Sequence, residues 1–219
     1  ASCLLGKQGE GFKIAMQTLD ASHNRCHSDI WGIWIQQRVS SRKVDARCEN
    51  LSDDYLPRSN YEIACDRTVY FDLIPETSWG VKYTQLYRIA CRKMIDTEGA
   101  RTLMPALIPP KVGHTNGVIG FAAKTEADLL MILGEFSSLP VDFFIKLYGK
   151  SNFQMNMAGM IPLLPSNGYL ASALKLRVML LNCLACNYAD IWENNYEESF
   201  INDKWAKEDE HLCNTVFNS

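Results

Sequence analysis

LYRIACRKMIDTEGARTLMPALIPP, residues 86–110, is the stretch on which the fold turns. Residues 86–92 alternate well enough to predict a strand. Residues 102–108 predict another, which Pro105 confines to an edge or a bulge because proline cannot donate to a ladder. Pro109 and Pro110 close the run. Side chains on a strand alternate with period two, so Arg88 and Arg92 share a face. Together with Lys93 and Arg101 they set cations on a stiff frame. Arginine pairs bidentately with phosphate or with a guanine edge, and no catalytic set of residues lies within the stretch. The expectation is a surface that grips a polyanion rather than one that breaks bonds. Two other readings fit the same residues: a solvated charged face balanced by Asp96 and Glu98, or, for Arg88 and Arg101, internal ion pairs that hold the sheet.

Toward the N-terminus the pattern is weaker. Residues 31–35 (WGIWI) predict a short buried strand, residues 40–57 a polar surface loop, and residues 61–65 and 69–73 a pair of strands around Asp66 and Arg67. After the prolines, residues 113–120 are glycine-spaced and predict a mobile loop carrying His114, Thr115 and Asn116. The character then changes. Thr125 predicts the cap of a helix with Glu126 and Asp128 in its first turn, where the dipole favours acids. A second helix is expected from about Ser138–Pro140 to Gly149. Residues 161–165 (IPLLP) are a short apolar segment pinned by two prolines. Leu174, Val178, Leu181, Ala185, Tyr188 and Trp192 form one stripe at helical spacing and predict a single long closing helix. The expected fold class is α/β (α+β): a mixed, mostly antiparallel sheet in a β-rich part, residues 1–122, followed by a helical part, residues 123–219, packed on it as one module.

At 219 residues, 47% hydrophobic and 21% charged, the chain has the composition of an ordinary soluble globular protein with a sizeable core. No apolar run approaches the roughly 20 residues of a membrane span, and the charged, glycine-bearing start does not read as a signal peptide. The first residue is Ala1 rather than Met, so we expect a piece cut from a longer protein or the remnant of a tag. The 8 cysteines are scattered, and we read them as reduced thiols of a cytoplasmic protein. The net charge of -3 argues mildly against nucleic acid. It is uneven, however: residues 151–219 hold 4 Lys and Arg against 8 Asp and Glu, which places any polyanion site in the first two thirds.

Other chemistry finds little purchase. Gly113, Gly117 and Gly120 match neither a P-loop nor a dinucleotide fingerprint. Cys183-x-x-Cys186 has the spacing of half a zinc site, with His23, Cys26 and His27 as a distant other half. Two thiols packed on a helix are the plainer reading, and no metal is expected. No G-x-S-x-G elbow is present. His114 reads as a surface hydrogen-bonding residue rather than a base. Lys146, Lys150 and Asn152 form a second polar group, suited to a backbone phosphate or to a helix end.

Four segments carry a resemblance: residues 87–110, with an Arg-bearing strand, then RTL, then an apolar run closing in Pro-Pro; HTNG at 114–117; SSLPVDFFIKLYGKSNF at 137–153 with IPLLP at 161–165; and LKLRVMLLNCLACNYADIW at 174–192. In order and spacing they resemble the C-terminal target-recognition (specificity) region of TaqI-type and type IIG-like adenine-specific DNA methyltransferases, including the large fused restriction-modification methylases and those of phage-defence systems. The likeness covers about half the chain, and residues 1–85 carry little of it. The [N/D]-P-P-[Y/F] tetrapeptide and the glycine-rich cofactor motif of such enzymes are absent from this sequence. The resemblance therefore implies no catalysis here, with S-adenosylmethionine held and the adenine flipped by an N-terminal methyltransferase domain of the parent chain. Its partners would be double-stranded DNA and that domain, with no membrane. The residues expected near DNA are Arg88, Arg92, Lys93 and Arg101, with His114, Thr115 and Asn116 as loop contacts and Lys146, Lys150 and Asn152 behind them. The rivals are a protein-interaction module that docks through the acidic end, residues 193–210, and the closing helix, and a free-standing enzyme with a pocket near His114.

Overall fold

The computed structural model describes residues 67–114 and 117–204, together with three strand segments farther toward the N-terminus. In chain order the elements are β1 (Ala15–Gln17), β2 (Trp34–Gln36), β3 (Tyr61–Ile63), α1 (Arg67–Leu73), β4 (Arg88–Arg92), β5 (Pro105–Ile108) and β6 (Val118–Ala122). The helices α2 (Glu126–Ser137), α3 (Leu139–Tyr148), α4 (Met155–Ala158), α5 (Tyr169–Asn182) and α6 (Ala189–Asn195) follow. A four-stranded antiparallel sheet has the order β1-β6-β4-β5, and β2 pairs with β3 separately. The fold class is thus the mixed α/β one expected. Pro105 does begin an edge strand, and β2 covers part of the strand expected at 31–35. The loop expected at 40–57 lies outside the described residues.

Alternation in β4 decides which face meets the helices. Ile89 and Cys91 are buried, as are Ile119 and Phe121 on β6, and Ile89 stands opposite both Phe121 and Leu107. Above them lies α2, whose residues Leu129 to Phe136 are buried on every side. A helix apolar all round belongs at the centre of a fold, and α2 is layered between the sheet and α5. Its start is capped by Thr125, whose Oγ1 accepts the Asp128 N–H at 3.2 Å. Ser138 ends α2 and begins α3, its Oγ accepting the Val141 N–H at 3.4 Å, and Gly149 at φ 68 stops α3 in the left-handed region that glycine adopts freely. One hydrophobic core runs across the sheet and the helices, with Phe121, Phe136 and Phe153 meeting at its middle.

Gly134 permits the contact between α2 and α5. A Cβ at this position would lie 2.8 Å from Leu174 Cγ and 2.9 Å from Val178 Cγ2. Alanine gains up to about 1 kcal/mol in helix propensity but overpacks the seam by about 1–3 kcal/mol. We predict that Gly134→Ala lowers stability by about 1–2 kcal/mol, read as a lower denaturant midpoint at unchanged m-value.

Three sequence expectations need correction. Residues 69–73 are helical, within α1, not a strand. Tyr70 and Ile74, four apart, are buried on one side while Val69 and Leu73 are exposed, so the helical period overrides the β propensity of Val, Tyr and Phe. Residues 118–122 form β6, paired with β1 and β4, where the glycine spacing suggested a loop. Finally, the closing helix is broken. It stops at Asn182 and resumes as a short 3-10 turn, Cys186–Tyr188, leading into α6. Asn182 ties this end to the sheet: its Nδ2 donates to the Val178 carbonyl and its Oδ1 accepts the Leu107 N–H, at 2.9 and 3.0 Å. Leu181, expected on the buried stripe, is 68% exposed, and the face that packs is Ala171, Lys175, Leu176, Val178 and Met179. Cys183 and Cys186 flank the break instead of sitting within a helix.

Candidate nucleic-acid interface

Arg88 and Arg92 do share the face of β4 opposite Ile89 and Cys91. Their surroundings differ. Ala122 clusters with Tyr70, Ile74 and Tyr83 on that side of the sheet, and Arg88 is 1% exposed beneath it. Its guanidinium donates to the Val112 carbonyl. Burial pulls its pKa down to about 10, with Tyr70 acting weakly the other way, so the group stays charged at neutral pH. Arg88 is therefore a structural cation that ties β4 to the 112–114 segment, not a projecting one. The reason is position: α1 and the segment after Pro110 cover its end of the strand.

Arg101 is also turned inward. Its NH2 group donates to the Ser137 carbonyl at 2.8 Å, and its Nε lies 3.5 Å from Asp142 Oδ1. Asp142 is the residue that sequence reading missed. Its buried Oδ1 accepts the N–H groups of Thr102 and Leu103 at 2.9 and 2.7 Å, clamping the start of the 102–108 run to α3. An acid in the first turn of a helix is legible in sequence, but its partners 40 residues away are not. Lys146, one turn on, donates to the Gly99 carbonyl at 3.0 Å. Arg101 and Lys146 thus hold the 96–101 loop against α3.

The segments that carry the remaining expected residues are paired. Beyond β4 the chain runs antiparallel to residues 151–153: Phe153 N–H donates to the Lys93 carbonyl at 2.7 Å, Ile95 N–H to the Ser151 carbonyl at 3.0 Å, and Met94 bridges Asn152. This strip brings the segment of Arg92 and Lys93 against the segment of Lys150 and Asn152, with Asn152 across from Met94, joining two groups that are 57 or more residues apart in sequence. Arg92 and Lys150 are exposed, and Lys93 and Asn152 half-buried. Lys93 N–H also donates to the Gly117 carbonyl at 2.9 Å, so the end of the 114–117 turn lies at the same edge. Thr115 and Asn116 lie outside the described residues. His114 is half-buried over the sheet, where a Cβ at Gly120 would come 2.6 Å from its Nε2. Glycine in the middle of β6 is therefore what lets the imidazole approach the backbone.

A cleft of about 250 Å³ lies at the other end of β4, lined by Tyr87, Lys124, Glu126, Asp190 and Asn194 among others. None of the residues expected at the DNA lines it. Among the described residues no group of three or more His, Cys, Asp and Glu is placed to hold a metal ion, and no helix is long and apolar enough to cross a membrane. His23, Cys26 and His27 lie outside the described residues. Among the described residues, exposed apolar side chains gather on α3 and around α5. On α3 they are Leu139, Phe143 and Leu147, four apart and 60–70% exposed; around α5 they are Tyr169, Leu170, Leu181 and Leu184. Compared with models of known protein families, with curated proteins and with solved structures, the chain gives no match.

Proposed function

We propose that this chain is the DNA-recognition module of an N6-adenine DNA methyltransferase of a restriction-modification or phage-defence system, working in the cytoplasm. The observation that carries the reading is the strip that joins Arg92 and Lys93 to Lys150 and Asn152 beside the 114–117 turn. The exposed Arg92 and Lys150 on a hydrogen-bonded scaffold suit phosphate contacts that set register, while side chains of an adjacent turn suit the reading of bases. The enzyme class rests on the sequence resemblance. In this reading S-adenosylmethionine and the catalytic residues belong to a methyltransferase domain N-terminal to this module in the parent chain, and Arg88, Arg101 and Lys146 support the recognition surface from behind.

The test is a salt titration of binding to a random-sequence duplex, by the chain of 219 residues and by its Arg92→Ala/Lys93→Ala/Lys150→Ala variant. Each lost phosphate contact flattens the slope of log K against log salt by about 0.9, so we expect the variant's slope to be smaller by roughly 2–3. Its thermal midpoint should hold closely, because Arg92 and Lys150 are exposed and Lys93 is only half-buried. An unchanged slope would remove the strip from the interface.

A second reading, a protein-interaction module of the same system, is favoured by the exposed Tyr169, Leu170, Leu181 and Leu184 around α5. It predicts no salt-steep duplex binding at all, and loss of a partner subunit when Leu170 and Leu181 are changed to serine. Residues 205–210 of the acidic end on which this reading drew lie outside the described residues.

A further inference from the structure

One buried acid has no part in the proposed interface. Glu135 stands in the last turn of α2, the negative end of the helix dipole, where a carboxylate is least welcome. It is 5% exposed. Its Oε1 accepts the Leu164 N–H at 2.6 Å, and its Oε2 is buried with no hydrogen-bond partner among the described residues. Leu164 belongs to the segment 161–165, in which Pro162 and Pro165 lack N–H groups. Ile161 anchors the segment in the core, Leu163 packs against that core, and Leu164 itself is 52% exposed. The bond to Glu135 is thus the outer fastening of a strap that connects the 151–153 strip, through α4, to α5.

The charged groups on the neighbouring elements are committed elsewhere. On α5, Lys175 is paired with Glu197 and Arg177 with Asp203. On α3, Asp142 is held by Arg101 and the peptide groups of Thr102 and Leu103. Arg101 reaches this end of α2 through the Ser137 carbonyl. Neither β5 nor residues 160–168 carry a charged side chain. An ionised Glu135 therefore has one hydrogen bond and, among the described residues, no counter-ion and no partner for its second oxygen.

We propose that Glu135 and the 161–165 strap form a proton-operated latch, fastened while the carboxyl is protonated and loosened once it gives its proton to solvent. Loosening admits water to Oε2, which an ionised carboxylate demands and a neutral one does not. Burial pushes Glu135 up from 4.5 to about 7 in the fastened state, against the smaller opposite pull of the Leu164 N–H. Opened and hydrated, the group returns toward 4.5. Linkage then gives the direction. The fastened state binds the proton more tightly, so the latch is firmest below about pH 4.5, weakens as pH rises, and levels off above about 7.

The experiment is amide hydrogen exchange at Leu164, corrected for the intrinsic pH dependence of exchange, in the chain and in Glu135→Gln. From about pH 5 to about pH 7 the wild-type protection should fall at least tenfold, approaching tenfold per pH unit, and the Gln variant should show no such fall. Equal wild-type protection at both pH values, or the same fall in Glu135→Gln, overturns the latch. Should the variant not fold, a carboxyl titration of wild-type Glu135 by NMR decides. A midpoint near 7 shared by the Leu164 amide shift upholds the latch, and a midpoint near 4.5 overturns it.

Discussion

Asp142→Ala is expected to cost about 3–5 kcal/mol, read as a large drop in urea midpoint. The substitution leaves the buried N–H groups of Thr102 and Leu103 without their acceptor. Each such loss costs about 1–3 kcal/mol when water cannot reach the site. Arg101 loses the carboxylate beside its Nε as well, though that group is partly exposed and its share is screened. Against a total stability of about 5–15 kcal/mol this brings the chain close to unfolding at room temperature. Asp142→Asn separates the two contributions. Its amide oxygen still accepts from both peptide groups while the charge is gone, so a loss of only about 1 kcal/mol is expected. Equal losses for the two variants would shift the weight from the peptide clamp to the Arg101 pair.

Phe136→Ala should be about as damaging, at about 3–5 kcal/mol, the usual range for a buried phenylalanine truncated in a packed core. Phe136 is 1% exposed, with ring centroids 5.5 Å from Phe121 and 5.8 Å from Phe153. Those neighbours belong to the sheet and to the 151–153 strip, so the cavity opens where three elements meet and none can collapse into it without dragging another. The loss has a functional shadow. Phe153 donates its N–H to the Lys93 carbonyl, and a loosened ring frees the strip that holds the segment of Lys150 and Asn152 against residues 93–95. We expect the Phe153 amide to lose protection before the rest of the sheet. Phe136→Leu, which fills most of the volume, should cost less than half as much. A Phe136→Ala variant with wild-type Phe153 protection would show that the strip is held independently of the aromatic trio.

What could be read from the chain in advance follows the range of the forces involved. Helices α2 and α3 were legible with their caps, because Thr125, Ser138 and Gly149 act on backbone groups within four residues. Strand β4 was legible because its alternation is local, and the edge position of β5 because Pro105 states it. The misreadings are all tertiary. Val, Tyr and Phe in α1 favour a strand until Tyr70 and Ile74 are given a surface to bury against. Gly120 looks like a turn residue until His114 is found occupying the space a Cβ would take. The closing helix runs on through Asn182 in sequence, and the bond of its side chain to the Leu107 N–H, 75 residues away, is not legible there. The candidate site divides the same way. That Arg88 and Arg92 face one side follows from period two, but burial at one end and exposure at the other depends on what covers the sheet. The joining of Lys93 to Asn152 is set by a pairing between segments far apart in the chain.

The interruption after α5 also governs how this molecule meets its neighbours. Both peptide groups of Leu107 on the sheet's outermost strand are taken, the N–H by Asn182 and the carbonyl by the Tyr188 hydroxyl at 3.0 Å. A foreign strand arriving at β5 finds its docking groups already satisfied, and must displace both side chains to lengthen the ladder. Runaway stacking of copies, the hazard of any bare sheet margin, is thereby blocked at this margin by two residues, and association there is left to side chains.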